Sequence, residues 1–389
     1  MSVLFFSQHA ALYGANQSLL TIVKGLKKRN IDSVVITSKE GPLNRVLREN
    51  HIKTFVLPFE AWIYRSNEKY YVKRVKNKIT TSIKNIIANK KLTGKIEEII
   101  KNNDIKLIYS NSTISNIGYF VSRKYKLPHI WHLREFVDLD FGFHWRFGKK
   151  ISKWIINTAD TVIAVSNAVK QHHLPHRKIG VHTHVIYDGV VRKNHFYDVK
   201  KLEDIEKKDK QEFVFALIGS ISPAKGQLEA INALHEVHKT HKNVRLVLMG
   251  KGNPTELMKR AADLSISHCV GFYGHVQNIY DHFHEIDAVL VCSRHEGFGM
   301  VTVEAMAAKK PVIARNTGGP GEVIRHGETG LLYKGGYTEL ANEMIKLIDD
   351  TKLREKIAIT GFEEAKKFTK EEFSDKIKEI ISDYLNVQK

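Results

Sequence analysis

Cysteine is nearly absent from this chain. Two in 389 residues exclude a disulfide framework, and neither Cys269 nor Cys292 has the Cys or His spacing of a metal ligand, so both read as small core residues beside strand-like runs. Long hydrophobic runs are missing too. No apolar segment approaches the roughly 18 residues of a membrane-spanning helix, and Val3-Leu-Phe-Phe-Ser has no basic residues ahead of it, as a secretory signal requires. A cytoplasmic protein is therefore expected. The chain also lacks a helix-turn-helix, a zinc pattern and an aromatic RNA-binding motif, which makes nucleic acid the weakest of its candidate partners.

Apolar material, by contrast, is ample, and the charge is uneven. With 42% hydrophobic residues the chain can bury two ordinary cores, so its length suggests two domains. Residues 1–195 hold 33 Lys and Arg against 13 Asp and Glu, whereas residues 196–389 hold 28 against 29. The whole positive excess lies in the first half. A field of one sign attracts anionic surfaces or polymers and is screened by salt; a merely soluble basic surface is the alternative. Abundant Lys, Ile and Asn suit a bacterial source with an A+T-rich genome.

Short apolar or β-branched runs at 3–7, 33–37, 53–56, 107–110, 129–132 and 161–165 predict strands, with helical stretches such as 16–28, 95–102 and 152–157 between them. Alternation of this kind predicts a parallel sheet with helices on both faces. The pattern restarts at Phe213-Val-Phe-Ala-Leu-Ile-Gly and continues through strands at 244–250, 270–274, 288–292 and 311–314. The expected fold is α/β, two Rossmann-like parallel-sheet domains facing across a cleft. Their predicted bounds are 1–191 and 212–368, joined by a polar linker at 192–211. A final segment, 369–389, carries helically spaced Phe373, Ile377, Ile380, Ile381 and Tyr384.

The densest chemistry follows the strand at 288–292, in Ser293-Arg-His-Glu-Gly-Phe-Gly-Met-Val-Thr-Val-Glu-Ala-Met-Ala. Ligand crevices of α/β sheets lie at the carboxyl ends of strands, which puts Glu296 at a rim. Gly297 and Gly299 let the backbone turn closely around Phe298, and Met300 and Val301 open a helix whose N-terminal amides suit an anion. Glu304 falls in its early turns. A strand-loop-helix corner with solvated glutamates is the plainer alternative. Two more glycine-rich connections follow, Asn316-Thr-Gly-Gly-Pro-Gly-Glu and His326-Gly-Glu-Thr-Gly-Leu-Leu-Tyr. Earlier, Ser220-Ile-Ser-Pro-Ala-Lys-Gly delivers Lys225 to a helix start, where it can neutralise a diphosphate.

The run from Glu296 through Glu304 to the Gly-Glu-Thr-Gly-Leu-Leu ending resembles the signature of the retaining, GT-B-type nucleotide-sugar glycosyltransferases of family 4, in which two Glu flank seven residues. The resemblance implies a GT-B fold and a hexosyltransferase that takes a UDP- or GDP-linked sugar as substrate, without cofactor. Glu296 would contact sugar hydroxyls and Glu304 the ribose. Lys225, the amides of 297–299 and the helix dipole would stabilise the leaving diphosphate, so that neither a general acid nor a metal is needed. Gly14, in Ala11-Leu-Tyr-Gly-Ala-Asn-Gln, would approach the sugar and its phosphates, and His132 would orient the sugar, with a satisfied core histidine as the alternative. Arg134 and Glu135 either bind acceptor or pair with each other. By the same resemblance the last helix crosses back to the first domain, against the alternative of a simply packed terminal helix. Two departures stand out: Ser220 occupies the place of an Arg that shares the diphosphate, and Tyr13 that of a second glycine. They leave open an inactive GT-B partner subunit, as a GT-B nucleotide-sugar epimerase also stays open. Cell-surface polysaccharide synthesis is the usual setting by family analogy alone.

Residues 62–106 set Arg65, Lys69, Lys73, Arg74, Lys76, Lys78, Lys84, Lys90 and Lys91 among Trp62, Ile63, Tyr70, Tyr71, Val75, Ile79, Ile83, Ile86 and Ile87. The segment reads as amphipathic helix, and peripheral attachment at the anionic inner face of the membrane is expected, which suits a lipid-linked acceptor. An anionic glycan acceptor would draw on the same charge. Asp138-Leu-Asp140 and the group His172, His173, His176, His182, His184 lack the context of a metal site, and no metal is expected there.

Overall fold

The computed structural model describes residues 1–65, 71–140, 142–175, 182–196 and 212–386, with side chains throughout except at 71–78, 81, 90 and 93. The chain divides into two compact units, Met1–Gly189 with Lys370–Lys389, and Val190–Thr369. Each is built on a parallel sheet.

In the first unit the strands are β1 (Ser2–Ser7), β2 (Asp32–Thr37), β3 (Lys53–Val56), β4 (Ile63–Tyr64), β5 (Ile105–Ser110), β6 (His129–Leu133), β7 (His144–Trp145), β8 (Thr161–Ala164) and β9 (Thr183–Val185). Seven form one sheet in the order β3-β2-β1-β5-β6-β8-β9, and β4 pairs antiparallel with β7. Every residue of β1 is buried, and its side chains alternate between two apolar layers. Val3 and Phe5 pack with Leu19, Ile22 and Leu26 of the helix Gly14–Lys27, whereas Leu4 and Phe6 pack with Ile96, Ile117 and Val121 on the other face.

The helix Lys370–Asn386 belongs to this unit. Phe373, Ile377, Ile380 and Ile381 enter the layer of Val3 and Phe5. A Cβ at Gly25 would lie 2.5 Å from that of Ser374, so the missing side chain is what lets the two helices touch. Tyr384 Oη lies 2.6 Å from Thr161 Oγ1.

Residues 62–106 are not one helix. β4 is followed by the helices Tyr71–Lys91 and Thr93–Asn102, and Trp62, read from sequence as part of an amphipathic surface, is fully buried. Its ring lies 5.2 Å from that of Trp131 and 5.0 Å from that of Trp145, and Ile63 beside it is buried as well.

The second unit carries β10 (Phe213–Ile218), β11 (Val244–Met249), β12 (Val270–Gly274), β13 (Ala288–Val291), β14 (Val312–Arg315) and β15 (Leu331–Tyr333), all parallel in the order β12-β11-β10-β13-β14-β15. Phe215, Leu217, Leu246, Leu248 and Leu290 join Ile231 and Leu234 of the helix Gln227–Val237 in its core. Residues 192–196, read as the start of a linker, pack into this unit: Phe196 is buried with its ring 5.3 Å from Phe362, and His195 lies 4.7 Å from Tyr280. The rest of that segment, 197–211, lies outside the described residues.

Candidate active site

The carboxyl ends of β10, β13 and β14 bring three loops together by glycine contacts. Gly226, at φ +75° between the short turn Pro223–Lys225 and the helix Gln227–Val237, would place a Cβ 2.4 Å from the Cys292 carbonyl oxygen. Only glycine lets this turn lie against the end of β13. Lys225 is thereby carried to Glu296, with Nζ 2.6 Å from Oε2 and the two side chains 32% and 20% exposed. The third loop locks the second: Gly319 N–H donates to the Glu296 carbonyl at 3.0 Å. A Cβ at Gly318, itself at φ +59°, would fall 2.0 Å from that same oxygen, and one at Gly319 would fall 2.3 Å from Phe298 Cα. The Gly318-Gly319 pair thus shapes the Glu296 loop.

Gly299, at φ +81°, turns the chain into the helix Met300–Ala307. The site residues expected from sequence separate here into two groups. Glu296, Met300, Val301 and Glu304 keep partial exposure, whereas Gly297, Phe298 and Gly299 are buried. The Phe298 ring is buried and packs 5.6 Å from that of Phe368, which holds the loop down. Glu304 lies near enough to Tyr280 that its charge, after burial, holds the phenol well above its usual range. Ser220 is exposed, and its carbonyl accepts from the buried amide of Gln227 at 2.9 Å. Gln227 is a site-shaping residue that sequence reading missed, because nothing local marks it.

At the end of β1 in the first unit, Gly14 opens its helix after the exposed, extended Tyr13. Asn16 pins this turn, donating to the carbonyls of His9 and Ala11 at 2.8 and 2.7 Å and accepting from the Ser7 hydroxyl at 2.6 Å. A pocket of about 60 Å³ lies there, lined by Ser7, His9, Tyr13, Asn111, Ser112 and Glu135.

His132, expected beside a sugar, is wholly buried. Its Nδ1 accepts from Tyr109 Oη at 2.7 Å and lies 3.3 Å from Arg134 Nη2, while burial and the Arg134 charge push its pKa well below the usual range. Its Nε2 is buried without a hydrogen-bond partner among the described residues, so the core alone does not satisfy the ring. Arg134, expected to meet acceptor, is buried as well: it pairs with Asp188 at 2.7 Å and donates to Asn111 at 3.0 Å. Glu135 does not pair with it but accepts from the Ser112 hydroxyl and the Thr113 N–H, both at 3.0 Å. Asp138 is taken by His172 and Lys149, at 2.7 and 2.9 Å, and Asp140 accepts from the Phe136 N–H, so both have protein partners. Arg65 is exposed and lies over the Phe143 ring. Lys69 and His176 lie outside the described residues, and Lys73 and Arg74 sit on the helix Tyr71–Lys91 without described side chains.

The family model for glycosyl transferases group 1 matches residues 198–364, and that for glycosyltransferase family 4 matches residues 13–193. An uncharacterised glycosyltransferase of Methanocaldococcus jannaschii is 28% identical over 70% of this chain and 74% of its own length. The capsular polysaccharide biosynthesis glycosyltransferase CapM of Staphylococcus aureus is 25% identical over 86% of this chain and 92% of its own. The crystal structure of Anabaena HepE in complex with UDP superposes with a TM-score of 0.79 at 26% identity, covering 98% of this chain and all of that one. With a glycosyltransferase model matching each half and a solved relative matching nearly every residue, the chain belongs to the group 1 glycosyltransferases of the family 4 type, transferases built on the GT-B fold.

Proposed function

We propose that this enzyme moves a hexose-type sugar, with retention at the anomeric carbon, from a UDP- or GDP-linked donor to a lipid-linked or anionic glycan during cell-surface glycan synthesis. The observation that carries this reading is the partly exposed Lys225–Glu296 pair, which glycines bring together at the carboxyl ends of β10 and β13. An arriving diphosphate competes for the Lys225 ammonium and releases the Glu296 carboxylate to accept from sugar hydroxyls. As the glycosidic bond stretches, the sugar approaches an oxocarbenium ion and negative charge grows on the diphosphate. Lys225 and the amides that open the helix Met300–Ala307 then oppose that charge where it develops. Glu304, farther along the same helix, is assigned to the ribose hydroxyls. HepE has been crystallised with UDP and with UDP-glucose, which favours a uridine donor here.

Ser220 lacks the charge expected at its position, and Lys251 is the replacement we assign. Ile221 N–H donates to the Lys251 carbonyl at 2.8 Å, and a Cβ at Gly250 would lie 3.0 Å from Ser220 N, so the Lys251 loop runs against the Ser220 turn. Its side chain is exposed.

An anionic membrane surface is the assigned location, supported by a helix turned inside out. On Tyr71–Lys91 the buried face presents Asn85 and Asn89, with Asn85 donating to the carbonyls of Glu60 and Ala61. Ile79, Ile83, Ile86 and Ile87 are 44 to 56% exposed. Isoleucines spaced on one helical face beside exposed Lys84 suit insertion at a headgroup boundary. Among the described residues no helix is long and apolar enough to cross a membrane.

Release of nucleotide from a panel of sugar donors, with crude membrane lipid as acceptor, tests the reaction. Release with one donor and incorporation of its sugar into lipid is the expected result. No release with any donor favours an inactive partner subunit, and interconversion of the donor without acceptor favours an epimerase.

A further inference from the structure

The far ends of the second sheet carry a group that the transfer reaction does not use. His238 follows the helix Gln227–Val237, and its Nε2 lies 2.7 Å from the Val244 carbonyl at the start of β11. A carbonyl only accepts, so Nε2 holds the ring proton and Nδ1 presents a lone pair. That Nδ1 lies 3.6 Å from Cys269 Sγ, immediately before β12. His268, on the same turn as Cys269, brings a ring nitrogen so that all three ligand atoms lie within 4.8 Å of one another.

These positions suit a tetrahedral cation. Zinc bonds of about 2.0–2.1 Å to nitrogen and 2.3 Å to sulfur hold such a pair about 3.6 Å apart, which is the separation found between His238 and Cys269. A ligating histidine usually donates its other N–H to a carbonyl or carboxylate, and Val244 already takes that part. His238 and Cys269 are buried while His268 is exposed, which provides a route of entry and a water-accessible fourth position.

We propose that His238, His268 and Cys269 bind a borderline-soft divalent cation such as Zn²⁺. The cation displaces the thiol proton of Cys269 to solvent and ties the end of the helix Gln227–Val237 to the turn before β12. It takes no part in sugar transfer.

Titration of Co²⁺ and then Zn²⁺ into the full chain, free of any affinity tag, tests this. The expected result is stoichiometric Co²⁺ binding with a thiolate-to-cobalt charge-transfer band that Zn²⁺ abolishes, and a Tm that rises with Zn²⁺. Cys269→Ser should remove the band. His268→Ala, at an exposed position, should weaken Zn²⁺ binding about tenfold or more while leaving the metal-free Tm in place. Absence of the band in the native chain reduces the pair to an S–H···N hydrogen bond, and a band surviving Cys269→Ser moves the metal to another thiol. Either result, or equal Zn²⁺ affinity in His268→Ala, overturns the site.

Discussion

The two units use charge at their strand ends in opposite ways. Lys225 and Glu296 meet at 2.6 Å with both side chains partly exposed, 32% and 20%. Arg134 and Asp188 meet at 2.7 Å but are only 3% and 5% exposed. Distance does not separate the pairs; solvent does. An exposed pair contributes little to stability and can exchange partners, whereas breaking a buried one strands a charge in a medium that solvates it poorly. The first pair therefore suits chemistry and the second holds the end of β6 in place.

Arg134→Ala should have the largest effect on folding, about 3–5 kcal/mol, because Asp188 is left buried and uncompensated; denaturant unfolding followed by circular dichroism measures it. A loss near that of Lys225→Ala would erase the contrast. For Lys225→Ala we expect donor turnover to fall about 10²- to 10³-fold, with stability changed by less than about 1 kcal/mol. Glu304→Ala should act mainly on donor KM in the same assay, and unchanged turnover in Lys225→Ala together with unchanged donor KM in Glu304→Ala would sink the donor-site assignment.

Within the first unit a further effect depends on pH. Burial and the neighbouring Glu135 push the Asp140 carboxyl up to about 7, whereas unfolded aspartate titrates near about 3.9. Between these values the native state binds the extra proton, so stability falls as pH rises from about 4 to 7. Asp140→Asn removes that loss, and its Tm relative to the native chain should be higher near pH 8 than near pH 5. An equal difference at both would mean that the carboxyl does not titrate with folding. The smallest effect on folding belongs to Ile83→Glu, within about 0.5 kcal/mol at an exposed position, yet it should reduce sedimentation with anionic vesicles. Equal partition of the native chain onto neutral and anionic vesicles at low salt would remove the membrane assignment.

The parallel sheets were legible because strands buried on both faces appear as continuous apolar runs such as Val3-Leu-Phe-Phe. The turn around Gly299 was legible for a similar reason, since strand, glycine and helix former are neighbours in the chain. The inverted helix was not. Periodicity places Ile79, Ile83, Ile86 and Ile87 on one face, but whether that face points inward depends on partners for Asn85 and Asn89 that come from Glu60, Ala61 and Asn116. Trp62 misled likewise: the basic residues that follow it, from Arg65 onward, suggested a surface, and Trp131 and Trp145, far along the chain, bury it.

By itself the sequence determined what short-range chemistry encodes: two α/β units, the uneven charge, and a Glu296–Glu304 segment able to present carboxylates and free amides. Tertiary structure alone decided which charges meet and which stay wet. It sets Lys225 on Glu296, sends Arg134 to Asp188, makes Gly318 and Gly319 spacers for another loop's backbone, and brings His238 beside Cys269. The reason is physical: a side chain's charge state, exposure and partners depend on atoms brought in from distant segments, and local propensity does not report those contacts.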